Sequence, residues 1–304
     1  MAGAQDSFSP FDEALAAAPS TQPWAHAYGE APRYEPDYET LREVLGVAVA
    51  EGAERRTTGV FANGIDVWIA HELRRAGFGL DEVWPRPTRP RVLPRDLALL
   101  LENLPARQRA DLAPRIARMP AVAPTDANVL GRAYDKQVDV VIARWDRGPE
   151  VLISTKAQLS SFGKNLPNRF EESYGDAGNL RGRHPLAAVG YFFVQRASIL
   201  TEEPAAFERT VDMIRKLRGL GPGDVNGYTA TALLLLNWTH TDDGVEPEIV
   251  LDPVPDDIAA PQFFTTMIDT VLAATPVTFH VPVRERRERR ELPLDDIEHL
   301  TPEA

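Results

Sequence analysis

Cysteine is absent from this 304-residue chain, which removes disulfide frameworks, thiolate zinc sites and cysteine nucleophiles together. Histidine is scarce, with six scattered residues, so a His-rich metal site has little to draw on. No run of about 18 apolar residues could span a bilayer, and the opening MAGAQDSFSPFDEA lacks the basic-then-apolar order of a signal peptide. A soluble protein of the cytoplasm is expected. There is no Gly-x-Ser-x-Gly elbow, no phosphate-binding Gly-x-x-x-x-Gly-Lys-Ser/Thr and no His-Glu-x-x-His. Net positive charge is lacking too: the formal charge is -12, which at face value argues against a nucleic-acid partner.

The distribution of charge weakens that objection. Residues 1–56 hold 4 basic and 10 acidic side chains, and residues 201–304 hold 9 and 20; residues 57–200 hold 20 basic against 15 acidic. The basic stretch is also the one that carries the motifs below. With 43% hydrophobic residues, the chain can bury a sizeable core in one large domain.

Residues 1–35 mix Ala, Pro, Ser and acidic residues without a lasting period, which reads as a flexible N-terminal tail. From Tyr38, Leu41, Val44, Leu45 and Ala48 recur at helical spacing, and a second helix is expected from Asn63 through Ala76, closed by Gly77. After a Pro- and Arg-rich loop, 85–94, Leu97 to Leu104 and Ala106 to Ala113 look helical. Two strands, Gln137 to Arg144 and Val151 to Ala157, are joined by the turn residues of Trp145-Asp146-Arg147-Gly148-Pro149. A helix from Pro167 to Tyr174, a Gly-rich loop from Gly175 to Pro185 and a strand from Ala187 to Gln195 should follow. Further on come a helix (205–218), strands (228–238 and 248–251), a helix (262–274) and an edge strand from Val277 to Val283 carrying Pro282, ahead of a charged tail from residue 284. This alternation implies an α/β fold, a mixed central β-sheet flanked by helices, in a single domain over residues 36–283.

In Val138-Asp139-Val140-Val141-Ile142 a carboxylate interrupts a β-branched strand, where an uncompensated buried charge costs several kcal/mol. Asp139 must therefore meet solvent, a cation or a metal. In Leu152-Ile153-Ser154-Thr155-Lys156 the alternation puts Ser154 and Lys156 on one face, which a hairpin brings beside Asp139. Hydrolysis of a phosphodiester needs carboxylates for Mg²⁺ and a cation near the attacking water, roles that suit Asp139 and Lys156. Asp135, four residues earlier, is a rival for the first. Glu150 stands roughly 13 Å along the strand from Ser154, too far to share one ion.

Asp139 with Ser154-Thr155-Lys156, followed by Asn168-Arg169-Phe170-Glu171-Glu172, resembles the PD-(D/E)xK nuclease superfamily. The nearer likeness is to type II restriction endonucleases of the Ser-x-Lys subgroup. That resemblance implies a restriction-endonuclease-like fold and Mg²⁺-dependent cleavage of double-stranded DNA. It makes Asp139 and one of Glu171 or Glu172 metal ligands, Glu172 being favoured by the apolar stripe of Leu166, Phe170 and Tyr174. Lys156 would orient water, Ser154 would stand in the vacated acidic position, and Glu72 on the helix ahead of the sheet would be a further active-site carboxylate. It also implies a homodimer or higher homo-oligomer and 5′-phosphate products. Ser161, Lys164, Asn165, Arg169, Arg181 and Arg183 lie in polar segments beside the proposed site, where their donors suit phosphate anchoring and base reading. The alternatives are a catalytically inactive protein of the same fold that binds DNA or a protein, a nuclease for RNA or for branched or modified DNA, and a scaffold. The run Arg284 to Arg290 is interleaved with Glu and reads as a solvated strand end or oligomer contact.

Overall fold

The computed structural model describes residues 6–55, 59–164, 166–219, 226–241 and 244–289. A 3₁₀ turn, Ser9–Phe11, leads into helix α1 (Asp12–Ala17) and a two-stranded ribbon of β1 (Trp24–Ala25) and β2 (Arg33–Tyr34). Helices α2 (Tyr38–Arg55) and α3 (Gly59–Arg75) follow, then strand β3 (Val83–Trp84) and helices α4 (Arg95–Asn103) and α5 (Ala106–Ile116). A second ribbon pairs β4 (Ala127–Leu130) with β5 (Asp135–Val138) and runs straight into the hairpin of β6 (Val140–Arg144) and β7 (Gly148–Gln158). Beyond these lie α6 (Leu166–Arg181), β8 (Ala188–Arg196), α7 (Ile199–Glu202), α8 (Pro204–Lys216), β9 (Ala230–Thr241), β10 (Gly244–Val250), α9 (Ala260–Ala274) and α10 (Val281–Glu288).

Six strands form the central sheet in the order β10-β9-β8-β7-β6-β3. β7, β8 and β9 run parallel, while β6 and β3 on one side and β10 on the other pair antiparallel. The parallel strands are apolar on both faces, as they must be when both are covered. Phe192, Val194, Ile153 and Leu234 face a layer built from α2, α3 and α9; Tyr191, Phe193, Leu152 and Leu233 face α6 and α8. This is the mixed sheet flanked by helices that the alternation of elements implies. No helix among the described residues is long and apolar enough to cross a membrane.

Helix α3 ends as its sequence dictates. Gly77 takes φ +111, Phe78 N–H donates to the Leu73 carbonyl, and a Cβ on Gly77 would lie 2.9 Å from the Pro282 backbone.

Four expectations are corrected. Residues 6–35 are not a flexible tail: Phe11, Trp24 and Tyr34 are buried in the core beneath α2, α3 and α9, a burial their scattered spacing hid. Residues 1–5 of that expected tail, like residues 290–304 of the expected C-terminal one, lie outside the described residues. The Gly-rich segment after Tyr174 continues α6 to Arg181, because Asp176, Ala177, Asn179 and Leu180 are buried along it and Asn179 accepts hydrogen bonds from the Ala133 and Tyr134 N–H groups. Helical packing there outweighs the roughly 1 kcal/mol penalty of each glycine. The expected last strand is instead a turn followed by α10, with Pro282 in the first helical turn where its missing N–H costs nothing. Finally, the strand expected over 137–144 is two strands broken at Asp139. Val138 and Val141 pack toward α6 while Val140 and Ile142 pack toward α3, so the alternation slips by one residue at the aspartate.

Candidate active site

The break at Asp139 turns its carboxylate back over β7. Its own N–H donates to the Ile153 carbonyl at 3.1 Å, and Oδ2 accepts from Thr155 N–H at 2.8 Å. On the opposite wall, α3 presents Asp66 between the buried Ile65 and Val67. The Thr155 hydroxyl donates to Asp66 Oδ1 at 2.5 Å. One threonine therefore holds two carboxylates beside each other, one through its main chain and one through its side chain.

Along β7, Thr155 faces the α3 layer, whereas its neighbours Ser154 and Lys156 face the α6 layer beside Tyr191 and Phe193. Ser154 and Lys156 share a face as expected, but it is the face toward α6, opposite the one on which Thr155 meets Asp66. Ser154 Oγ is buried without a hydrogen-bond partner among the described residues. Lys156 is half-buried, and its charge acts on both Asp66 and Asp139.

Burial, and after it the neighbouring Asp139, pushes the Asp66 carboxyl well above the usual carboxylate range; the Thr155 hydroxyl and Lys156 work against that rise. Asp139 is raised by burial too, against the attraction of Lys156, the Thr155 N–H and Lys136. Two adjacent carboxylates that both resist ionisation favour a shared proton or a bound cation. They open on a cleft of about 360 Å³ whose walls also include Asn63, Gln137, Arg89 and Arg91.

Glu72 is not brought to this site. It is fully buried six residues further along α3, where it accepts hydrogen bonds from Tyr34 Oη (2.7 Å), Asp37 N–H (2.8 Å) and Arg75 Nη1 (2.6 Å). That network ties the N-terminal segment to the helix, so its role is structural. Glu171 and Glu172 are both exposed on α6, and neither figures among the charges acting on Asp66 or Asp139. Glu171 borders an apolar groove between α6 and α8 instead. Asp135 is exposed on β5, and Glu150 is engaged by His280 at 3.0 Å and Arg147 at 3.3 Å. No group of three or more His, Asp or Glu side chains among the described residues converges as a metal site would.

The expected DNA contacts that fall among the described residues lie outside the cleft. Ser161 and Lys164 are exposed between β7 and α6, Arg169 lies partly buried on α6, and Arg183 is exposed after it. Arg181 donates to the Gly227 carbonyl at 2.9 Å. Asn165 lies outside the described residues. Part of the arginine run at the C-terminal end is taken up internally: Arg284 donates to carbonyls at the end of α9 and Arg287 pairs with Asp269, while Arg289 is exposed. Its last residue, Arg290, lies outside the described residues.

Comparison of the chain with protein-family models, curated proteins and solved structures finds no match. The functional reading therefore rests on this geometry and on the sequence motif.

Asp66 is the residue that sequence reading missed. Its signal was present, since Ile65-Asp66-Val67-Trp68-Ile69 sets a lone charge in an apolar helical run. The reasoning that singles out Asp139 in its strand applies equally there.

Proposed function

We propose that the chain is an Mg²⁺-dependent endodeoxyribonuclease acting on double-stranded DNA, a restriction or other defence nuclease, with Asp66 and Asp139 as the carboxylate pair and Lys156 as the cation. The observation that carries this reading is the joint hold of Thr155 on Asp66 and Asp139 at the wall of a cleft, with the Lys156 charge acting on both. Mg²⁺ commonly binds through one or two carboxylates and completes its shell with water and substrate phosphate, so a pair is sufficient. The raised, mutually repelling carboxyls supply the drive for taking up a cation. Asp66 and Asp139 would hold the ion, which would supply charge stabilisation at the phosphate. Thr155 fixes both carboxylates in place. Lys156 balances their charge and orients the attacking water, and Ser154 occupies the position where the resembling enzymes carry an acid. Homodimerisation belongs to the same proposal, because two related subunits cut both strands of a symmetric site.

One observation favours a second reading. The lack of a three-ligand metal cluster among the described residues suits a catalytically inactive protein of this fold that binds DNA or a protein partner. Both are tested by incubating wild type, Lys156→Ala and Asp139→Asn with a panel of plasmid and phage DNA, in Mg²⁺ or EDTA. Discrete Mg²⁺-dependent fragments lost in both variants are the expected result. Intact DNA with salt-sensitive binding supports the inactive reading, and neither cleavage nor binding refutes both DNA readings for unmodified duplexes.

A further inference from the structure

The cleft that carries Asp66 and Asp139 has a second wall that the proposed chemistry leaves unused. The loop between β3 and α4 brings Arg89 and Arg91 to it, and residues 6–8 of the N-terminal segment lie across the same opening. One carboxylate oxygen, Asp6 Oδ2, accepts from Arg89 Nε at 2.6 Å and from Arg91 Nε at 2.9 Å. The two arginines differ in how they are held. Arg91 is buried, and its remaining donors go to Asp12 (2.7 and 2.8 Å) and to the Arg86 and Pro87 carbonyls. Arg89 is 61% exposed, and its pairing is with Asp6.

We propose that Arg89 and Arg91 form a phosphate-binding subsite for the nucleic-acid backbone, and that Asp6 occupies it in the free protein as a displaceable carboxylate stand-in. The inference rests on the DNA reading above and extends it to substrate contacts outside the segments expected from sequence. Two guanidinium groups converging on one oxygen present the donor geometry that suits a phosphate as well as a carboxylate. Exchanging one monoanion for another leaves the charge of the wall unchanged, so opening the subsite leaves no arginine without a partner. The displacement is also small. Phe11 is fully buried in the core, so only the few residues ahead of it have to yield.

The test is anisotropy of a short fluorescein-labelled DNA duplex in EDTA, with wild type, Asp6→Asn, Arg89→Gln and the double variant. Asp6→Asn keeps an acceptor for Phe8 N–H, which Asp6 Oδ1 now holds at 3.1 Å, and Arg89 is exposed enough to replace without unfolding. Asp6→Asn should tighten binding about five-fold and Arg89→Gln weaken it by a similar factor, with the slope of log K against log salt falling by about 1. In the double variant the gain from Asp6→Asn should vanish, because it acts through Arg89. Asp126→Asn, a charge removal elsewhere on the cleft wall, sets the nonspecific effect and should give a smaller gain. Equal affinity of Asp6→Asn and wild type, or a gain that survives in the Arg89→Gln background, would overturn the subsite. So would uptake of inorganic phosphate with no duplex binding. Because the readout excludes cleavage, the subsite can fail while Mg²⁺-dependent cutting persists, and it can stand where no cutting occurs.

Discussion

Replacing Asp66 by Asn should stabilise the protein while abolishing its proposed activity. Asp66 and Asp139 bond to the hydroxyl and the N–H of one threonine, which keeps the two carboxylates within about 8 Å; at an effective dielectric of about 20 their repulsion is on the order of 2 kcal/mol. Asn keeps an oxygen to accept the Thr155 hydroxyl, so the variant loses the repulsion and the burial of a charge but not the bond. The attraction of Lys156 for Asp66 opposes this gain, leaving an expected net stabilisation of about 1–2 kcal/mol. The sign of its pH dependence follows from the raised carboxyl. The unfolded chain loses this proton near pH 4, whereas the folded protein keeps it to higher pH. The cost of ionising Asp66 is therefore absent in acid and grows as pH rises through the folded value. Urea unfolding of wild type and variant at pH 8 and pH 4, both in EDTA, should show a clear advantage for the variant at the higher pH and a reduced one at the lower. A variant less stable than wild type at pH 8, or a difference independent of pH, would refute the account of the paired carboxylates.

The other predictions separate structural from functional acids and test the corrected fold. Glu72→Ala should cost about 3–5 kcal/mol in urea unfolding, because it leaves the buried Arg75 guanidinium uncompensated; a loss under 1 kcal/mol would remove its structural role. Glu171→Gln and Glu172→Gln should change Mg²⁺-dependent cleavage by less than about two-fold, since both are exposed and away from the pair, and a hundred-fold loss in either would return the metal ligand to α6. Phe11→Ala should destabilise by about 3–5 kcal/mol, measured by the urea midpoint, where an uninvolved tail would give no change. Gly190→Ala places a Cβ 2.7 Å from the Phe263 ring and should lower the melting temperature through about 1–3 kcal/mol of overpacking.

Elements with one dominant period were legible in the sequence. The hairpin of β6 and β7, the apolar strands β8 and β9 and the helix closed by Gly77 all declare themselves through alternation, continuous burial or a cap. Where the reading failed, a longer-range contact outweighed the local signal. Gly175 and Gly178 look like loop residues until Asn179 is seen capping backbone N–H groups of the β4–β5 connection. Phe11, Trp24 and Tyr34 are spaced without period because each reaches the core from a different short element, a 3₁₀ turn and the two strands of a ribbon. Pro282 was read as a strand-edge residue, but proline fits the first turn of a helix equally well.

The candidate site divides along the same line. Asp139, Ser154 and Lys156 could be placed near one another from the sequence because a hairpin turns sequence spacing into spatial spacing with little freedom. The partner carboxylate could not be found that way, because which helical residue meets a strand depends on how the helix rotates against the sheet. The resemblance directed attention to Glu72 and to the glutamates of α6, and all three are acids that already have another place: one in a buried ion pair, two at the surface. What distinguishes Asp66 is the cost of its position. It sits at 4% exposure among apolar neighbours, its carboxyl is raised rather than stabilised, and the Thr155 hydroxyl is the only hydrogen-bond donor to its side chain among the described residues. Glu72, equally buried, has three donors, one of them an arginine. A buried acid with too few partners is where a fold retains a liability that its own stability does not require, and the pairing of that liability with Asp139 at the wall of a cleft is what the proposed cation site would draw on.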